Sequence, residues 1–148
     1  THGKTLLQAG AENMKRKRSR EIAMELLFSM EISKNSYEET IECFVEDYEM
    51  DLKTIDLEYI KEVMKSVVDH KEEIDEIIKN SLINWTIDRV SKVNLTIVRL
   101  AISEMLYIND VPEVVAINEA IELTKKYSDD KSVSFVNGAL DKAFKNIK

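Results

Sequence analysis

The sequence predicts an all-α fold of about seven helices. Three observations carry that expectation. The 148 residues include only three glycines and one proline, 33% of them are charged, and apolar residues recur three and four apart while no stretch alternates at the period of a strand. Few breakers and many charges mean long elements with solvated outer faces, joined by short loops. With 44% hydrophobic residues the chain can bury a core, as one domain or as two small bundles sharing one.

From Arg20 to Ile32, Ile22, Ala23, Leu26, Leu27 and Met30 fall on one helix face, and Phe28 and Ile32 on the opposite side. A second helix follows the Ser36/Glu39 capping box and carries Tyr37, Ile41, Phe44, Val45 and Tyr48. Asp56 can cap a third, with Leu57, Ile60, Val63, Met64 and Val67. Asp69 with Glu72 predicts a restart into a fourth, carrying Ile74, Ile77, Ile78 and Leu82. "NWTIDRVSKV" reads as a corner around the single tryptophan, Trp85, with Asn94 capping a fifth helix whose apolar face runs from Ile97 to Leu106. Pro112 bars helix before it, a sixth helix is established by Asn118, and the last runs from about Ser132 with Val133, Val136, Leu140, Ala143 and Phe144 inward. The first thirteen residues show no sustained periodicity and precede Met14, a natural initiator. Residues 1–14 are therefore expected to be a disordered, vector-derived leader, and 15–148 a single helical domain.

Catalysis finds no foothold. The glycines stand apart at Gly3, Gly10 and Gly138, so no loop cradles phosphate. His2 and His70 are remote in sequence, which argues against a metal site or a triad, and His70 reads as a helix-terminus residue. The pairs Glu38/Glu39 and Glu72/Glu73 sit at helix starts, where the dipole favours acids. No catalytic residue, cofactor or metal is expected. No apolar run approaches the ~18 residues that span a bilayer and no secretory signal opens the chain. A cytoplasmic protein without a membrane partner is expected, with the lone Cys43 packed in its core.

One stretch runs against the rest. "KRKRSR", Lys15 to Arg20, holds five cations in a chain with 28 acidic and 21 basic residues and a net charge of −7. It precedes or opens the first helix, the end where cations are disfavoured by up to ~1 kcal/mol each. Cations and the free amides of a helix start could converge on one nucleic-acid backbone; a solvated tail is the competing reading. Tyr127 and Phe135 flank the "SDDKSVS" turn and could stack bases or simply pack.

"VPEVVAINEAIELTKKY" and "SFVNGALDKA", preceded by "NLTIVRLAISEML" and by the basic "RSREIAMELLF", resemble the NusB family of bacterial transcription antitermination factors, from about Arg16 to Ala143. The resemblance implies two packed helical sub-bundles and no enzymatic activity. It implies boxA-type single-stranded RNA of ribosomal RNA transcripts as ligand, the small-subunit ribosomal protein NusE as partner, and work within an RNA polymerase antitermination complex. It implies RNA contacts at Arg16, Lys17, Arg18 and Arg20, and a second set at Tyr127, Lys131, Ser132 and Phe135. Ser128 stands where a glycine is common in the family. For NusE the resemblance implies Phe28 and Ile32, joined by Asp88 and Asn94.

Other expectations are structural. Arg99, between Val98 and Leu100, should pair with a buried acid, Glu104 or Glu119, and Gly138 inside a helix should mark the close approach of a neighbour. Two further readings stay open: an RNA-binding fragment of a ribosomal RNA cytosine methyltransferase, and an adaptor that binds only protein.

Overall fold

The computed structural model describes residues 5–82, 85–109 and 111–147. His2, Gly3 and Asn84, the first residue of the expected corner, lie outside them. Seven α-helices and two single 3-10 turns, and no strand, are found among the described residues: α1 Leu6–Ser33, α2 Tyr37–Asp47, α3 Leu57–Asp69, α4 Lys71–Ser81, α5 Lys92–Tyr107, α6 Glu113–Tyr127 and α7 Asp130–Ile147. The chain divides into two compact units, one up to Glu62 and one from Val63 onward.

In the first unit, α1 begins at Leu6, well before the expected start near Arg20. Thr5 and Gln8 form a capping box there. Ala, Met, Glu, Lys and Arg in this stretch all favour helix, and no apolar stripe announces it: Leu6, Leu7 and Met14 are exposed. Where α1 does pack, Ser19, Arg20, Ile22, Ala23, Met24 and Leu27 are buried. Leu26 and Met30, expected inside, are only half-buried. α1 ends at Lys34, which takes φ 64° and donates its N–H to the Met30 carbonyl. The Ser36/Glu39 capping box opens α2 as predicted. Asp56 Oδ1 accepts from Tyr59 N at 3.0 Å, capping α3, and the Tyr37 hydroxyl donates to the Lys61 carbonyl at 3.2 Å. Cys43, expected in the core, is exposed on α2.

The second unit is built on α5, where Thr96 through Glu104 are buried without interruption. Helices α4, α6 and α7 pack on it, and α7 packs also on α4 and α6. Ile97, Leu100, Ile102 and Leu140 are fully buried, each worth about 1.5–3 kcal/mol relative to exposure. Ser91, not Asn94, caps α5 by accepting from Asn94 N. The break between α3 and α4 falls where expected, but Asp69 does not cap it; Asp69 pairs with Lys65 at 3.3 Å. His70 is the N-cap residue and gives no side-chain cap bond to α4. Its Nδ1 donates back to the Ser66 carbonyl at 3.0 Å, and its ring stacks on Tyr107 at 3.8 Å between centroids.

Tyr107 in turn donates its hydroxyl to Glu73 Oε2 at 2.8 Å. Burial, then the hydrogen bond to Glu73 and its charge, push the phenol up from 10.0 to about 12. The fold prefers the neutral phenol, so this stabilisation is present below the ordinary value and is lost as pH rises from about 10 through about 12. In an absorbance titration one phenol should ionise near that upper value, and Glu73→Gln should bring it down.

Arg99 donates from Nε and Nη2 to Asp75 Oδ1 and Oδ2 at 2.8 and 2.9 Å, a bidentate fork from α5 to α4 that local spacing does not announce. One expectation is corrected here. Gly138 marks no close approach, because a Cβ there would meet nothing within 4 Å, and its φ is not positive. Neither packing nor backbone requires glycine. Gly138→Ala should therefore stabilise the protein by about 1 kcal/mol, read as a higher urea midpoint with an unchanged slope.

Candidate nucleic-acid interface

Because α1 runs through Lys15–Arg20, the cluster lies in mid-helix and the convergence of cations with free helix-start amides does not occur. The helix instead sorts the cations. Residues four apart share a face, and Arg16 and Arg20 both turn toward Tyr59, with guanidinium carbons 4.2 and 5.7 Å from its ring centroid. Arg16 Nη2 also meets Asp56 Oδ2 at 3.4 Å. Ser19, on the same side, donates its hydroxyl to the Lys15 carbonyl and accepts from Asp56 N, each at 2.7 Å. Arg20 is only 4% exposed. Two of the four cations expected to touch RNA are thus held inward by a carboxylate and an aromatic face.

Lys15, Lys17 and Arg18 are left on the outer side and are exposed. Arg18 Nη1 reaches Glu21 at 3.1 Å and Glu25 at 3.7 Å. Exposed pairs of this kind contribute about 0–1 kcal/mol, so a phosphate can compete for the guanidinium. Sequence reasoning misses Tyr59, the buried platform beneath the inward arginines. The i, i+4 spacing of Arg16 and Arg20 is the available signal, and it needs a helix reaching that far back.

The second expected set gathers at the α6–α7 connection. α6 ends at Tyr127, and Ser128 caps it with φ −124°, so this loop makes no use of the positive φ that glycine permits. Ser132 is its hub. Its hydroxyl oxygen accepts from Ser128 Oγ at 3.1 Å and from Asn94 Nδ2 at 2.9 Å, and its N–H donates to Asp129 Oδ1 at 2.8 Å. The Ser132 hydroxyl and then its N–H, both turned to Asp129, hold that carboxyl below its usual range. α7 begins at Asp130, two residues before the expected start. Lys131 is exposed in the first turn, and Lys126 Nζ lies 5.4 Å from the Tyr127 ring centroid. Phe135, one turn on, meets Trp85 edge to face with centroids 6.2 Å apart.

Of the residues expected to bind a protein partner, Ile32 and Asp88 are exposed and Phe28 is half-buried. Asn94 is 8% exposed, and its Nδ2 donates to Ser132 Oγ. Among the described residues no helix is long and apolar enough to cross a membrane, and no group of His, Cys, Asp or Glu is placed to hold a metal.

The fold and the site define a small all-α protein that displays cations along one helix and aromatic rings around the turn into another. The chain belongs to the NusB family, whose model matches residues 17–145. It is 54% identical over 132 residues to the transcription antitermination protein NusB of Clostridium botulinum (strain Alaska E43), spanning 89% of this chain and 99% of that one. It is 47% identical over 135 residues to the NusB of Clostridium perfringens (strain SM101), spanning 91% and 100%. Among solved structures, T. maritima NusB superposes with a TM-score of 0.75 at 32% identity, covering 88% of this chain and 90% of that one. A chain from the crystal structure of the antitermination factors NusB and NusE in complex with double-stranded RNA superposes with a TM-score of 0.75 at 29% identity, covering 88% and 96%.

Proposed function

We propose that this protein is a cytoplasmic transcription antitermination factor. It binds boxA-type single-stranded RNA of ribosomal RNA transcripts as a heterodimer with NusE, and within the RNA polymerase antitermination complex it promotes read-through. Its relatives carry the name of transcription antitermination proteins, and a chain of the same fold was solved with NusE and RNA. The observation that carries the reading is the outward row of Lys15, Lys17 and Arg18 in an otherwise acidic chain. These residues supply phosphate contacts, with Lys131 as a further cation. Tyr127 and Phe135 supply stacking surface, which single strands can use and duplexes cannot. Ser132 keeps the loop in shape, and Arg16 and Arg20 hold α1 in place rather than touching phosphate.

Phe28, Ile32 and Asp88 are assigned to NusE. No reaction is assigned, so the protein acts by binding alone.

The test is the anisotropy of a labelled boxA-type RNA titrated with the protein, with and without NusE, at two salt concentrations, beside a duplex of the same sequence. Tight, salt-sensitive binding to the single strand, strengthened by NusE, is the expected result. Preference for the duplex would move the contacts away from the aromatic rings, and no binding in any arm would leave a protein-only adaptor.

A further inference from the structure

A groove of about 580 Å³ runs along the outer side of α7, opposite the end of α4. Leu82, Trp85, Phe135, Gly138 and Lys142 line it, and its rim carries the pair Lys145–Asp141 at 3.0 Å. We infer that this groove is a nucleotide subsite for single-stranded RNA, taking a base against Trp85 over the open floor at Gly138 and its phosphate at Lys142. The inference rests on the RNA-binding function proposed above and extends it by a site on the far side of Phe135.

Four observations converge on it. Trp85 is 53% exposed, a large ring left in water although it is fixed at one side by Phe135. An exposed indole held in orientation by its neighbour is a stacking surface for any base. Gly138 is the second. Mid-helix glycine is unfavourable by about 1 kcal/mol against alanine, and here neither a neighbour nor the backbone angle requires it. What the missing side chain does leave is floor space between Trp85 and Lys142. Third, Phe135, Gly138, Lys142 and Lys145 follow one another at spacings of three and four along α7, so ring, gap and cations form a single stripe. Lys145 meets Asp141 in an exposed pair that a phosphate can compete for, and Lys142 is the groove's second cation. Fourth, the stripe continues directly from Lys131 and Phe135, so a strand reaching the α6–α7 turn would be led into the groove. Leu82, Trp85 and Phe135 give the groove apolar walls, and Lys142, Lys145 and Asn146 supply the cations and amide that an RNA strand would use and a purely apolar protein segment would not.

The chain has one tryptophan, so its intrinsic emission reports on the groove alone. Single-stranded boxA-type RNA should be titrated into the full chain with NusE present, following Trp85 emission and the anisotropy of labelled RNA in parallel; a NusE with its own tryptophans replaced keeps the signal clean. Emission should be quenched along the same curve as the anisotropy. Gly138→Gln should fill the floor and weaken binding about tenfold, the contribution of one base stack. Lys142→Gln should flatten the slope of log K against log salt by about 0.7. Melting curves check that each variant is folded.

Normal anisotropy with unquenched Trp85 and full affinity for Gly138→Gln would overturn the subsite and leave RNA binding by the protein intact. Gly138→Gln that loses NusE but keeps RNA would make the groove a protein surface instead and likewise overturn it. Absence of any anisotropy change with the parent protein would overturn the RNA reading itself, and the subsite with it.

Discussion

Replacing Asp75 with alanine is expected to lower the stability of the protein by about 3 kcal/mol. Arg99 sits with its side chain 10% exposed and Asp75 at 22%, so deletion of the carboxylate removes a bidentate partner where little water can replace it. The fork uses two hydrogen bonds at 2.8 and 2.9 Å, and both would go at once. Total stabilities of about 5–15 kcal/mol are usual, and for a chain of this size each kcal/mol moves the melting temperature by roughly 2–4 °C. A fall of roughly 6–12 °C is expected from these values. Asp75→Asn keeps one acceptor oxygen and should lose less. The double variant Asp75→Leu with Arg99→Met should recover much of the loss, since both members of the pair are then apolar. An unchanged melting temperature for Asp75→Ala would mean that solvent serves Arg99 as well as Asp75 does.

The second large effect concerns RNA. If each outward cation of α1 neutralises one phosphate, replacing Lys15, Lys17 and Arg18 with glutamine flattens the slope of log K against log salt by about 2, from roughly 0.7 per contact on a single strand. Affinity at low salt falls steeply and the melting curve stays put, because these side chains are exposed. Arg20→Ala is expected to do the reverse. Arg20 is buried with its guanidinium over the Tyr59 ring, so its loss should lower the melting temperature and leave the salt slope unchanged. Slopes measured for the two variants separate the cations that touch RNA from those that hold the helix. A slope that moves with Arg20 and not with the triple variant would reverse the assignment of the two faces.

That partition shows what the sequence can and cannot convey. Helices with an apolar stripe are the legible ones, and of their expected caps the Ser36/Glu39 box and Asp56 form as read. The front half of α1 is not, because propensity without packing leaves no periodic mark. Without that half the sorting of the basic cluster stays hidden, since five adjacent cations look alike until a helix turns them about 100° apart. The sequence marks Arg99 as needing a partner, but Asp75 lies 24 positions away on another helix, a distance that local spacing does not bridge. Asn94 and Ser132 both read as binding residues, and the bond between them makes them parts of one internal brace. Gly138 is conspicuous for a reason other than crowding: what matters there is the space left open.

Cys43 lies exposed on α2 and is the chain's single thiol. Purified protein therefore has one address for a dye or spin label, without engineering, on a helix of the first unit. The same thiol offers one route by which two copies can join covalently in air. Any measurement of molecular mass in solution needs a reductant before a doubled value can be credited to non-covalent association.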